Sequence, residues 1–177
     1  AYHGHDERRP APLILGHEAA GVVTTGSFKG RRVSINPLVT CNTCDECLDG
    51  RPHLCGSRVI ISMPSRPGAL AEFVRVPERN LVSVPEDMSL ELAALTEPLA
   101  VAYHAVNLGE RALSKPLAGA RVAVLGGGAI GLGTAQVLQS RGVREVRIAE
   151  TSEIRRERLT KAGRFVPNDP MGASGVP

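Results

Sequence analysis

The chain has 177 residues, 42% of them hydrophobic and 22% charged, proportions that exclude a disordered tail, a collagen-like repeat and a coiled coil. Twenty-one Lys and Arg against 18 Asp and Glu leave a net charge of +3, too small a bias to attract nucleic acid. Aromatics at 3% supply almost no stacking surface for single strands. No apolar run approaches the roughly eighteen residues that a membrane span needs, and the opening AYHGHDERRP lacks the apolar core of a secretory signal. Neither a nucleic acid nor a membrane is therefore expected as a partner.

The first predicted element is a short apolar strand in residues 10–24, PAPLILGHEAAGVVT, which runs into Gly16-His17-Glu18. Imidazole is a common zinc ligand, and an adjacent carboxylate can ligate or orient it. Taken alone, a His-Glu pair is more often simply solvated or hydrogen-bonded.

All four cysteines follow within fifteen residues, Cys41, Cys44, Cys47 and Cys55, spaced C-x2-C-x2-C-x7-C. Two-residue gaps bring thiolates onto one centre, and four thiolates make the closed tetrahedral site of structural zinc. A four-cysteine iron–sulfur cluster is the rival, although ferredoxin runs usually continue C-x3-C-P. Disulfides are the poorer reading in a chain without an export signal.

Residues 68–84, GALAEFVRVPERNLVSV, read as strand, turn, strand. A helix is expected around Leu90 to Leu108, with Glu97 inside its apolar stretch. A carboxylate there is costly unless it meets a metal, an arginine or a helix end.

Residues 121–133, RVAVLGGGAIGLG, give a strand from Val122 to Leu125 followed by G-x-G-x-x-G on Gly126, Gly128 and Gly131. The first glycine permits a tight turn and the second lets backbone approach a pyrophosphate. The third lets the helix from Ala129 to about Ser140 pack on the strand, its positive end facing the phosphates. A second strand, Val143 to Ala149, closes on Glu150, nineteen positions after Gly131, where an acid receives ribose hydroxyls and repels a 2′-phosphate. NAD is thus favoured over NADP, with Arg155 and Arg156 the counterweight. The bland alternative is an αβ unit with a merely tight glycine turn. A helix from about Ser152 to Lys161 and a third strand near Phe165-Val166 complete the predicted elements.

The order GHE, four cysteines, EPLAVAYHA, VLGGGAIG resembles the zinc-dependent medium-chain alcohol dehydrogenases, and within them the polyol branch that includes sorbitol and L-threonine dehydrogenases. The resemblance implies an α/β plus β architecture. Residues 1–106 would be a GroES-like, largely β catalytic domain and 107–177 the start of a Rossmann doubly wound parallel sheet. It implies two zinc ions, one catalytic at His17, Glu18 and Glu97 and one structural at Cys41, Cys44, Cys47 and Cys55. It also implies NAD as cofactor, contacted by Ile130, Glu150 and Arg155 beside the glycine turn. The activity implied is hydride transfer from a secondary alcohol or polyol to NAD, giving a ketone. Threonine-type and simple alcohol substrates are alternatives, and a homotetramer or dimer is the implied assembly. The absence of signal and anchor, with thiolates that need a reducing compartment, leads us to expect the cytoplasm.

Two departures from the family pattern stand out. The family's first catalytic zinc ligand is a cysteine shortly before the Gly-His-Glu, whereas no cysteine precedes Cys41 here; His3, His5 and Asp6 are the chemical substitutes. The chain is also about half the family's usual length, so we expect it to be part of a longer polypeptide. Two rival readings remain. One is a zinc-binding interaction module, or inactive fragment, that meets a partner through Arg8, Arg9, Arg31, Arg32 and Arg51. The other is a zinc-free quinone reductase relative, which would have neither the cysteine lobe nor the Gly-His-Glu.

Overall fold

The computed structural model describes residues 7–161 and 165–170. Two compact units divide the chain, Ala1–Glu97 and Pro98–Pro177. The division lies nine residues earlier than the boundary drawn from sequence at about residue 106. It falls inside a helix whose later residues, Ala102 and Val106, are buried, and Val106 belongs to the core of the second unit.

The first unit is built on short antiparallel strands. Strands β1 (Ala20–Val22), β2 (Arg32–Ile35) and β5 (Leu81–Ser83) form a sheet of order β1-β2-β5, with Gly21 opposite Val33 and Ser34 opposite Val82. Strands β3 (Leu38–Val39) and β4 (Val59–Ile60) pair separately. Between them the chain makes the short helix α1 (Asp45–Leu48) and a 3-10 turn at Pro52–Leu54. Val33, Ile35, Val39, Ile61 and Ala93 are buried. Buried Asn80 closes the β2–β3 turn by donating from Nδ2 to the carbonyls of Asn36 (2.8 Å) and Leu38 (2.9 Å). The Arg32 guanidinium donates to the carbonyls of Pro85, Glu86 and Met88 and so anchors the loop that leads to helix α2 (Leu90–Ala93). Ser89 caps α2 by accepting from the Leu92 N–H at 3.2 Å.

Three sequence expectations are corrected in this unit. Leu13–Glu18 is not a strand. Pro10 and Pro12 cannot donate to a ladder, and Gly16 is left-handed at φ +92°. The carbonyls of Ile14, Leu15 and Gly16 instead accept from the N–H groups of Gly68, Leu70 and Ala69. For the same reason residues 68–76 do not form the first strand of a hairpin. Only Leu81–Ser83 of that stretch is strand, after a 3-10 turn at Glu78–Asn80. Finally, the helix expected over 90–108 is two helices, α2 and α3 (Thr96–Ala112). Proline has no N–H and is tolerated only in a first turn, so the helix restarts just ahead of Pro98 and places Glu97 at an N-terminus.

The second unit is a β-α-β-α-β run: β6 (Arg121–Leu125), α4 (Ala129–Ser140), β7 (Glu145–Ala149), α5 (Glu153–Lys161) and β8 (Val166–Asn168). The three strands are parallel in the order β6-β7-β8, with Val124 level with Ile148 and Ile148 with Pro167. Leu117, Val124, Ala135, Leu138, Val146, Ile148, Leu159 and Phe165 form the core with Val106. At the end of α4, Arg141 reaches α3. It donates to Glu110 at 2.9 Å and Asn107 at 2.7 Å, and its guanidinium lies 5.0 Å from the Tyr103 ring centroid. No described helix is long and apolar enough to cross a membrane.

Because three partners on α3 depend on one guanidinium, Arg141→Ala is expected to lower stability by about 1–2 kcal/mol. Urea unfolding followed by circular dichroism measures it; an unchanged midpoint would remove the clamp from the account.

Candidate functional site

The cysteine loop folds so that its four sulfurs gather into a cage that could hold a metal ion. Cys44 is the N-cap of α1 and Cys47 lies within it, while Cys55 follows the 3-10 turn and is fully buried. The four Sγ atoms lie within 4.8 Å of one another, at 3.5 Å for Cys44–Cys47, 3.6 Å for Cys41–Cys55 and 3.9 Å for Cys41–Cys47. A tetrahedron with zinc–sulfur bonds of about 2.3 Å has edges of about 3.8 Å, so the sulfurs fit a zinc ion directly. All four thiols are free, which sets aside the disulfide reading. The N–H groups of Thr43 and Cys44 point at Cys41 Sγ from 3.5 and 3.4 Å. With Thr43 the larger influence, they bring its thiol down to about 5. The Cys44 thiol is pushed up to about 12. The Cys47 N–H acts to lower it, but the neighbouring sulfurs of Cys41 and Cys47 and partial burial outweigh that bond. One charge in the cage thus makes the next harder to form, which is the electrostatic condition a cation relieves.

The second cluster joins His17, Glu18 and Glu97, whose ligand atoms also lie within 4.8 Å of one another. His17 and Glu97 are half-buried and Glu18 is exposed. Burial pushes the Glu97 carboxyl up; the His17 charge opposes this and the Glu18 charge adds to it. Glu97 sits in the first turn of α3, where the helix dipole favours an anion. One imidazole and two carboxylates are a nitrogen-and-oxygen donor set suited to a divalent ion. His3, His5 and Asp6 lie outside the described residues.

The glycine turn has the shape that a pyrophosphate needs. Gly126 is left-handed at φ +95°. A Cβ on Gly131 would fall 1.9 Å from the Gly126 carbonyl oxygen, whereas a Cβ on Gly128 would meet nothing within 4 Å. The turn is therefore closed underneath and open above. Helix α4 starts at Ala129 with no side-chain cap and no acid in its first turn, leaving its first N–H groups for an anion. Ile130 is partly exposed there.

Glu150 ends β7 almost completely buried, at 4% exposure. Its Oε1 accepts from the Ser152 N–H at 2.8 Å and its Oε2 from the Gly127 N–H at 2.7 Å. Those two bonds, with Arg155 Nη1 at 3.6 Å, hold its carboxyl below the usual range. Arg156 donates to the carbonyls of Glu150 and Thr151 and so fixes the loop after the strand.

The thirteen residues assigned from sequence to the two metal sites and the cofactor site are all described, and they fall at these three places. Sequence reasoning missed Gly127 and Ser152, the donors to Glu150, and Thr43, a donor to Cys41. Backbone donors carry no residue-type signal, apart from the extra glycine at 127.

The alcohol dehydrogenase GroES-like domain family matches residues 1–86. L-threonine 3-dehydrogenase of Sinorhizobium medicae is 37% identical over 160 residues, covering 87% of this chain and 44% of that protein. A zinc-binding dehydrogenase candidate from Sinorhizobium meliloti 1021, solved with NADP, superposes with a TM-score of 0.81 at 31% identity over 94% of this chain and 52% of that one. Galactitol-1-phosphate dehydrogenase from Escherichia coli gives 0.81 at 28% identity, over 94% and 49%. The chain thus spans about half the length of the relatives it matches.

Two outcomes follow from this geometry. Cys47→Ser is expected to lower zinc content at the cage and the unfolding temperature together; unchanged zinc by mass spectrometry would refute the cage. A carboxyl held low in the folded state adds stability above its unfolded pKa and loses it as pH falls through the folded value. Glu150→Gln should therefore cost most near neutral pH, with the gap to wild type closing below about pH 4. A gap independent of pH would show that the charge of Glu150 contributes nothing.

Proposed function

Because the chain belongs to the zinc-dependent medium-chain alcohol dehydrogenase family, we propose that it carries the metal-binding and adenosine-binding parts of an enzyme that oxidises a secondary alcohol with NAD, giving a ketone, NADH and a proton. The observation that carries this reading is the meeting of His17, Glu18 and Glu97 in a chain that also holds an open glycine turn ending in a buried acid. A zinc-binding interaction module would leave both unused.

Zinc at the His17 cluster would supply a Lewis acid that lowers the pKa of a substrate hydroxyl. His17 contributes a neutral nitrogen donor, and Glu97 a carboxylate whose desolvation cost a cation offsets. Glu18, more exposed, is the group best placed to exchange between ligand and proton acceptor. In the second unit the first turn of α4 would hold the pyrophosphate and Glu150 the adenosine ribose, with Ile130 and Arg155 at its sides. The buried Glu150 charge disfavours a 2′-phosphate, so NAD is preferred here although the Sinorhizobium meliloti neighbour was solved with NADP. The cysteine cage would hold the second, structural zinc.

For the substrate, the sequence likeness to L-threonine 3-dehydrogenases makes L-threonine the first compound to assay. A polyol of the sorbitol type is the second, and galactitol-1-phosphate dehydrogenase among the structural neighbours supports that choice. Unbridged thiolates suit the reducing cytoplasm, and a homodimer or homotetramer is the proposed assembly.

The test is NADH formation from L-threonine, sorbitol and simple secondary alcohols by the zinc-loaded protein. His17→Ala should abolish turnover yet leave NAD affinity within about twofold. Turnover retained in that variant would overturn the assignment. Glu150→Ser should shift the NAD/NADP affinity ratio toward NADP, and an unmoved ratio would remove the ribose role.

A further inference from the structure

His17 is placed by backbone that comes from far along the chain. Ahead of it the carbonyls of Ile14, Leu15 and Gly16 accept, in turn, from Gly68 at 2.7 Å, Leu70 at 2.9 Å and Ala69 at 2.8 Å. Three bonds on three consecutive residues fix both the height and the twist of the segment that ends in His17 and Glu18. None belongs to a named strand or helix, so no ladder would restore them if one were lost.

The approach is too close for a side chain. A Cβ on Gly68 would lie 2.2 Å from the Leu15 oxygen, 2.4 Å from the Leu15 carbonyl carbon and 2.6 Å from the Ile14 oxygen. These are rigid backbone atoms, so an alanine there must push the two segments apart. From the other side Leu70 closes over Gly16: its Cγ lies 2.7 Å from the place a Gly16 Cβ would take, and its N is 3.1 Å from it. Gly16, at φ +92°, is thus held between its own left-handed turn and the Leu70 side chain. Leu70 is otherwise 76% exposed, and its Cγ and Cδ2 are the side-chain atoms that close over Gly16, next to His17.

We propose that Gly68, Ala69 and Leu70 form a strap that positions His17 and Glu18 for metal binding, with Gly68 and Leu70 as its positioning residues. The inference rests on the reading of His17, Glu18 and Glu97 as a metal site and adds to it the residues that set its geometry. None of the three strap residues offers a metal ligand. Their effect is on how closely the imidazole and the two carboxylates converge, and groups that orient ligands in this way typically change metal affinity by about 10–100-fold.

The test counts metal at the two clusters separately. The full chain, stripped of metal, is titrated with Co2+. Thiolate ligands give an intense charge-transfer band, whereas imidazole and carboxylate ligands give only weak ligand-field bands, and total cobalt is measured by mass spectrometry. Wild type is expected to take up one ion in each cluster. Gly68→Ala should keep the charge-transfer band and lose the second ion. Leu70→Ala, which retains every strap bond and replaces a largely exposed side chain, should fold normally and bind the second ion about tenfold more weakly, again with the thiolate band unchanged. If Gly68→Ala fails to fold, Leu70→Ala alone decides. Wild-type affinity for the second ion in every variant that folds overturns the strap. A wild-type chain that takes up cobalt at its thiolates alone overturns the metal-site reading itself, and the strap with it.

Discussion

Backbone approaching backbone at distances that exclude a side chain is the constraint on which both halves of this chain depend. Gly68 meets the Leu15 carbonyl in the first unit, and Gly131 lies over the Gly126 carbonyl in the second. Each contact fixes an irregular segment that carries the chemistry, the run before His17 in one case and the turn before α4 in the other. Helices and strands alone would leave those segments free to wander, since loops gain little from burial and lose much in conformational entropy. A protein that fixes loops by such contacts needs many small residues and few aromatic ones, as the composition of this chain shows.

The second unit was largely legible in its sequence. Four apolar residues, a glycine turn, a twelve-residue helix and an alternating strand leave little choice, and β6, α4, β7 and α5 lie within two residues of where pattern alone put them. The cysteine cage was legible too, because metal geometry restricts spacing more tightly than packing restricts side chains. The first unit was harder to read. The runs around Leu13–Leu15 and Leu70–Val76 have the composition of strands, yet Ile14, Leu15 and Gly16 bond to Gly68, Leu70 and Ala69 outside any ladder. Composition reports what can be buried and not where the donors are spent. Pro98 is the opposite case: its missing N–H was a signal in plain view that the helix had to begin just before Glu97.

The two clusters show how donor type follows from position. The cysteines lie on one continuous loop, so a few tight turns suffice to bring soft ligands together. His17 and Glu18 come from one end of the first unit's sequence and Glu97 from the other. They are harder donors whose meeting depends on the whole intervening fold. The first cluster can form early and locally. The second is correct only when everything between residues 17 and 97 is correct, which makes it the more sensitive reporter of native structure.

The cysteine loop also lacks an apolar interior. Neither α1 nor the 3-10 turn at Pro52–Leu54 buries a residue, and Leu48 and Leu54 point largely into solvent at 72% and 49% exposure. What would ordinarily be a hydrophobic nucleus is here four sulfur atoms. Without a cation the loop has little to hold it closed, although β2, β5 and their buried neighbours keep their own contacts. A chelator should therefore open residues 41–55 to proteolytic nicking, for example by chymotrypsin after exposed Leu48, while the sheet stays folded. Metal scarcity would then mark this protein for degradation by exposing one loop, well before its core is at risk.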